Sequence, residues 1–203
     1  MTDAIVHVVD DDQSVRSSLV RLLRIAGFEA RAYRSAGEFL IGSRREGPGC
    51  IVLDVNMPGP SGLELHEALI KQGDRTPVVF LSGHADIPMS VRAMKDGAVD
   101  FLTKPVKSAD LLGAVRAALA RDAEYRKRGV QLRSVRSRHD LLTAREREVF
   151  ARVTEGKLNK QIAAELGTSE RTIKAHRARV MQKMEARTVA ELIRAADQLQ
   201  AVQ

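Results

Sequence analysis

The stretch IVHVVDDD, residues 5–12, decides the fold. Ile5-Val6-His7-Val8-Val9 has the length and β-branched character of a buried strand. It runs straight into Asp10-Asp11-Asp12. Neighbouring like charges repel, and an unpaired carboxylate is costly to bury. Either the three acids face water or some of them hold a cation.

Outward from this stretch the same pattern recurs. Residues 14–26 carry Val15, Leu19, Leu22 and Leu23 at helical spacing and stop at Gly27. Further strand-like runs lie at 28–33, 50–53, 77–81 and 99–102, and further helical patterns at 36–41, 63–70, 89–95 and 109–119. Five strand–helix units with mostly apolar strands imply an α/β doubly wound, five-stranded parallel sheet with helices on both faces. Ligands of such sheets sit outside the carboxyl ends of the strands. That edge collects the acids of VVDDD, Asp54 of LDVNMPG, Ser82 of LSGHAD and Lys104 of DFLTKP. One Asp at a strand end is ordinary turn chemistry. Acid, acid, hydroxyl and amine delivered to one edge in order are a site.

The chemistry follows from the groups. Clustered carboxylates suit Mg²⁺, a hard cation often shared with phosphate. Lys104 offers positive charge and Ser82 a hydroxyl to phosphoryl oxygens. Asp54, ending a central strand, is the candidate nucleophile for an acyl phosphate, and the DDD run is the candidate metal anchor.

The charge balance divides the chain. Residues 1–120 hold 14 Lys and Arg against 15 Asp and Glu, or −1; residues 121–203 hold 19 against 11, or +8, so the second part carries all of the excess behind the net charge of +7. A near-neutral and a basic part suggest two domains, the second able to approach a polyanion. No apolar run approaches the ~20 residues of a membrane span. The start lacks the basic and apolar regions of a secretion signal, so a cytoplasmic protein is expected. Cys50 is the single cysteine; it excludes an internal disulfide and reads as a core residue.

VVDDD, LDVNMPG, LSGHAD and DFLTKP together resemble the receiver domain of two-component response regulators, over about residues 3–120. The resemblance implies a flavodoxin-like fold and phosphoryl transfer from a sensor histidine kinase to Asp54. It places the metal-binding acidic pair on Asp10 and Asp11 and leaves Asp12 as an extra acid. It makes Asp54 and the backbone carbonyl of Asn56 the remaining Mg²⁺ ligands. Ser82 and Lys104 would sense the phosphoryl oxygens, Phe101 would change rotamer on activation, and Lys104-Pro105 would be a cis peptide. Asn56 and His84 flank the site and could tune water access. A haloacid-dehalogenase-type phosphatase also uses an Asp nucleophile with Mg²⁺, but needs a second Asp two residues later, where this chain has Asn56. An enzyme is therefore not expected.

Residues 121–138, RDAEYRKRGVQLRSVRSR, form a basic, helical linker in this reading, a helix either continued from the first domain or broken at Gly129, its weak point. A direct contact of this segment with DNA phosphate is the alternative. From 139 to 203 the pattern is all helical and gives a small four-helix domain. Thr143 with Glu146 forms a capping box, Gly167 makes a turn, and Ser169 and Thr188 cap the last two helices. Two short helices joined through Gly167, the second with Arg171, Lys174, Arg177 and Arg179 on its outer face, match a helix-turn-helix. No aromatic residue interleaves with the charges, so duplex DNA is favoured over single strands.

LTAREREVFARVTEGKLNKQIAAELGTSERTIKAHRARVMQKM resembles the LuxR-type DNA-binding domain, which with a receiver defines the NarL/FixJ subfamily. The resemblance puts Lys174 and Ala175 at base edges or nearby phosphates. Ala178 stands where relatives often carry a basic residue, and Arg177 and Arg179 flank it. It implies a phosphorylation-controlled homodimer that binds promoter double-stranded DNA and works with RNA polymerase. The surface of Val91, Met94 and the fifth helix would form the dimer. The competing reading is a receiver-based interaction module whose basic helices only pack.

Overall fold

The computed structural model describes residues 4–42, 47–83 and 87–200. His84 lies outside the described residues. The chain divides into two compact units, Met1–Arg126 and Lys127–Gln203.

In the first unit five strands form one parallel sheet: β1 (Ile5–Val9), β2 (Glu29–Tyr33), β3 (Gly49–Asp54), β4 (Val78–Ser82) and β5 (Asp100–Thr103), in the order β2-β1-β3-β4-β5. Strand composition tracks position. GCIVLD of β3 and VVFLS of β4 are buried at every residue and take interior places. EARAY of β2 exposes three of its five residues and takes an edge, where half the strand's surroundings are water.

Five helices cover the sheet: α1 (Gln13–Ile25), α2 (Ala36–Gly42), α3 (Gly62–Lys71), α4 (Ile87–Lys95) and α5 (Ser108–Asp140). Alternate strand residues feed opposite faces. Val9, Ile51, Leu53, Val78 and Phe80 pack with Phe39 of α2, Leu65 and Leu69 of α3 and Ala93 of α4. Val6, Val8, Cys50, Val52, Val79 and Leu81 pack with Leu19 and Leu23 of α1 and Leu111, Val115 and Ala118 of α5. Burial pushes the Cys50 thiol up to about 12, consistent with an inert core residue.

The expected linker takes the continued form. Residues 121–138 are helical throughout, and α5 passes Gly129 without a break. Asp122 is buried and accepts hydrogen bonds from the Gly49 amide (2.9 Å) and Arg126 Nε (2.8 Å). Arg126 also donates to the Gly47 carbonyl. These bonds tie α5 to the start of β3, well past the sequence's apolar helical pattern.

The second unit adds α6 (Ala144–Thr154), α7 (Asn159–Glu165), α8 (Glu170–Lys183) and α9 (Val189–Gln200) to the end of α5. The capping box of Thr143 and Glu146 is present, and the Ser169 hydroxyl accepts from the Thr172 amide. Thr188 accepts from the Glu191 amide (3.2 Å). Val149, Phe150, Val153, Ile162, Ile173, Val180, Met184 and Leu192 form one core.

Candidate functional site

The sheet register builds the acidic site. Val9 pairs with Leu53 across β1 and β3, so Asp10 and Asp54 emerge side by side. Asp54 pairs with Leu81 across β3 and β4, placing Ser82 one residue farther along that edge. Ser82 pairs with Thr103, and the Lys104 amide donates to the Ser82 carbonyl (2.8 Å). Strand pairing alone thus brings together Asp10, Asp54, Ser82 and Lys104.

Asp10 and Asp54 are buried, whereas Asp11 is exposed. One carboxylate oxygen of each lies within 4.8 Å of the others, a donor set fit for a hard divalent cation. The Lys104 ammonium sits between two of them, 2.7 Å from Asp10 Oδ2 and 3.0 Å from Asp54 Oδ1. Burial raises the Asp54 pKa, the Lys104 ammonium pulls it back, and the charges of Asp10 and Asp11 push it up again. Burial works against charge on Lys104 too, but its bonds to Asp10 and Asp54 outweigh that, and its pKa is raised. One ammonium pairs with two of the three acids, so the site holds excess negative charge that a cation would neutralise.

Sequence reasoning missed the frame around these groups. Asp12 caps α1: its Oδ1 accepts from the Ser14 (2.7 Å) and Val15 (3.1 Å) amides, which lowers its pKa. Arg16 Nη1 donates to the Asp10 carbonyl (2.6 Å), and the Asp12 amide to Asp10 Oδ1 (2.9 Å). Gly62 backs Asp54. A Cβ there would overlap the Asp54 carbonyl oxygen and lie 3.0 Å from the Asp54 carbonyl carbon and 3.1 Å from Leu53 Cγ. The Asp12 cap was readable, since an acid before a helical pattern is a start signal. The Gly62 approach was not, because PGPSG reads simply as a turn.

Asn56 is exposed just past β3. Phe101 is half-buried on β5, its ring 6.1 Å from that of Phe80. Lys104-Pro105 is cis. Val91 and Met94 are exposed on α4, at 45% and 46%.

The second unit presents a different surface. Ile173 and Val180 anchor α8 in the core, and Arg171, Lys174, Ala175, Ala178 and Arg179 are exposed on it. Ala175 and Ala178 leave the helix backbone open to close approach. Arg177 departs from the expectation of a free outer charge. It is half-buried, and its Nη1 donates to Asn159 Oδ1 (3.0 Å) at the start of α7.

The response regulator receiver domain profile matches residues 6–116, and the bacterial luxR-family regulatory profile matches residues 140–196. The chain belongs to the response regulators. With its LuxR-type DNA-binding domain it is a transcriptional regulator of the NarL/FixJ type. The regulator is 46% identical to Nodulation protein W of Bradyrhizobium diazoefficiens over 198 residues, covering 98% of this chain and 87% of that one. It is 45% identical to the transcriptional regulatory protein FixJ of Azorhizobium caulinodans over 191 residues, covering 94% and 90%. The solved structure of the response regulator StyR superposes with a TM-score of 0.84 at 45% identity, covering 96% of this chain and 98% of that one. A receiver implies a sensor kinase as partner, and the LuxR-type domain implies DNA. The match over 140–196 favours this reading over a module whose basic helices only pack. Among the described residues no helix is long and apolar enough to cross a membrane.

Proposed function

We propose that the regulator takes a phosphoryl group from a sensor histidine kinase on Asp54 and thereby controls promoter binding. The observation that carries this is the Asp54 carboxylate, held 3.0 Å from Lys104 with Asp10 and Asp11 carboxylate oxygens within 4.8 Å, in a receiver. Asp10, Asp11, Asp54 and the Asn56 carbonyl would hold Mg²⁺. The bound ion would supply charge neutralisation on the phosphoryl oxygens. Asp54 attacks phosphorus, a new O–P bond forms, and the P–N bond to the donor histidine breaks, with the electron pair leaving on the imidazole. Lys104, released from Asp54, turns to a phosphoryl oxygen, and Ser82 donates its hydroxyl to another. Phe101 follows Ser82 inward. An open groove of about 610 Å³ between α1 and the Lys104–Ser108 turn gives the donor domain a surface beside the acceptor.

In this reading Val91, Met94 and α5 bring two phosphorylated copies together as a homodimer. Two copies of α8 then meet half-sites about one helical turn apart. Arg171 and Arg179 contact phosphates, Lys174 and Ala175 lie nearest base edges, and Arg177 braces α8 against α7. The DNA-bound dimer works with RNA polymerase in the cytoplasm.

The test is intact mass and oligomeric state after adding acetyl phosphate and Mg²⁺, for the wild type beside Asp54→Asn. A phosphoryl adduct with dimerisation in the wild type alone supports the reading. An adduct on the Asp54→Asn chain, or an adduct that leaves the wild type monomeric, overturns it.

A further inference from the structure

The last turns of α5 are built into the second unit, which begins at Lys127. Val135 is 7% exposed in its core, and the His139 ring meets Phe150 edge-on at 5.2 Å. Between them, Arg138 reaches the end of α8. Its Nη1 donates to the Met184 carbonyl (3.0 Å) and to Glu185 Oε2 (3.1 Å). Its Nε and Nη2 donate to the carbonyl (3.2 Å) and hydroxyl (3.3 Å) of Ser134, one turn back.

These partners matter because of where they sit. Met184 is the C-cap residue of α8, and the last carbonyls of a helix have no partner within it. Glu185 follows at φ 54°, the left-handed geometry that ends many helices, and is the non-glycine residue found there among the described residues. A carboxylate at a helix C-terminus is unfavourable and a cation favourable. Arg138 supplies the cation and pairs the carboxylate. A second grip comes from Lys183, whose Nζ donates to Glu146 Oε2 (2.7 Å) and to the Leu141 carbonyl (3.1 Å). The end of α8 is therefore held from both sides of the turn that joins α5 to α6.

We infer that Arg138 is a positioning residue for DNA reading. It fixes the end of α8 so that Arg171, Lys174 and Arg179 approach the duplex at one angle. Residues 127–138, which read as linker, are part of the DNA reader. Arg138 does this without touching DNA: its side chain is 25% exposed and its three nitrogens already have acceptors. The inference rests on α8 being the DNA-facing helix.

The test uses the full chain and a duplex selected by the wild type from random sequence, beside a scrambled duplex of equal length, each over a salt series. Arg138→Gln is expected to weaken binding to the selected duplex about tenfold and to leave the scrambled duplex within about twofold. The slope of log K against log salt on the scrambled duplex stays unchanged, because no phosphate contact is lost. Arg138→Lys, which keeps the charge and one donor, is expected to retain part of the preference. If Arg138→Gln misfolds, Arg138→Lys carries the test, and undiminished preference in that folded variant overturns the inference. Equal loss on both duplexes with a slope lower by about one makes Arg138 a phosphate contact and overturns it. Equal loss with an unchanged slope means a smaller folded fraction and also overturns it. If the wild type selects no duplex at all, the DNA reading itself falls, and the inference with it.

Discussion

Two carboxylate–lysine clusters in this regulator use the same groups to opposite effect. In the receiver, Lys104 is shared between Asp10 and Asp54, with Asp11 alongside, and the Asp54 pKa is raised by burial and by its acidic neighbours. In the helical unit, Glu146 stands as a lone carboxylate. It accepts from Lys183 Nζ (2.7 Å) and the Thr143 amide (2.8 Å), and these bonds, that of Lys183 first, lower its pKa to about 2. The first cluster has more negative charge than it can pair and offers a donor set fit for a cation. The second is complete as folded. Both carboxylates are covered, at 5% and 3% exposure, but burial and two neighbouring acids prevail at Asp54, whereas the bonds from Lys183 and Thr143 prevail at Glu146.

The largest expected effect removes the backing of the open cluster. Gly62→Ala drives a Cβ into the Asp54 carbonyl, which forces β3 or α3 to shift. It is expected to cost the receiver about 3 kcal/mol and to abolish phosphoryl uptake, read by urea unfolding and intact mass. A stable, phosphorylatable variant would show that the end of β3 is not rigidly set.

Opening the closed cluster comes next. Glu146→Ala leaves Lys183 without its carboxylate and the Thr143 amide without its cap, and is expected to cost the helical unit about 2 kcal/mol. The same pair fixes a pH dependence. Glu146 has a folded pKa of about 2 against an ordinary 4.5, so its stabilisation is full above about 4.5 and fades as pH falls towards 2. Unfolding of the helical unit followed from pH 5 to pH 2 should lose stability in that window, and Glu146→Gln should flatten the loss.

Magnesium should separate the clusters. At ten times its Kd it is expected to stabilise the receiver by about 1.4 kcal/mol and leave the helical unit unchanged. An unchanged receiver melt would mean the acids do not form a cation site. The smallest effect is that of Asp54→Asn in metal-free buffer. An acid whose folded pKa is raised costs stability once ionised, so removing its charge at neutral pH should raise the receiver melt by less than magnesium does. A lower melt would show the Lys104–Asp54 pair to be net stabilising instead.

The open cluster was the more legible of the two. Its members stand at the ends of β1, β3 and β5, and an apolar strand followed by a polar residue is visible in one dimension. The capping box of Thr143 and Glu146 was legible for the same reason, since both partners lie within one turn. What the sequence hid are the partners brought from far along the chain: Asp122 on Gly49, Arg138 on Met184, Lys183 on Glu146. Residues 121–138 left open whether the helix continues or breaks, because their apolar residues are sparse, and a helix held by polar anchors leaves little periodicity to read. Arg177 misled as an exposed-looking charge on a helix whose outer face is otherwise basic.

The anchors on α5 have a consequence for anyone who splices such regulators. A receiver cut at 120 loses Asp122 and Arg126 from the start of β3, and a DNA-binding fragment begun at 139 loses Val135 and Arg138. Both sets of anchors survive only when the cut falls between Arg126 and Val135. Chimeras joined there, with the helical phase kept, should give two intact parts. Those joined at the apparent ends of the linker should give a damaged one.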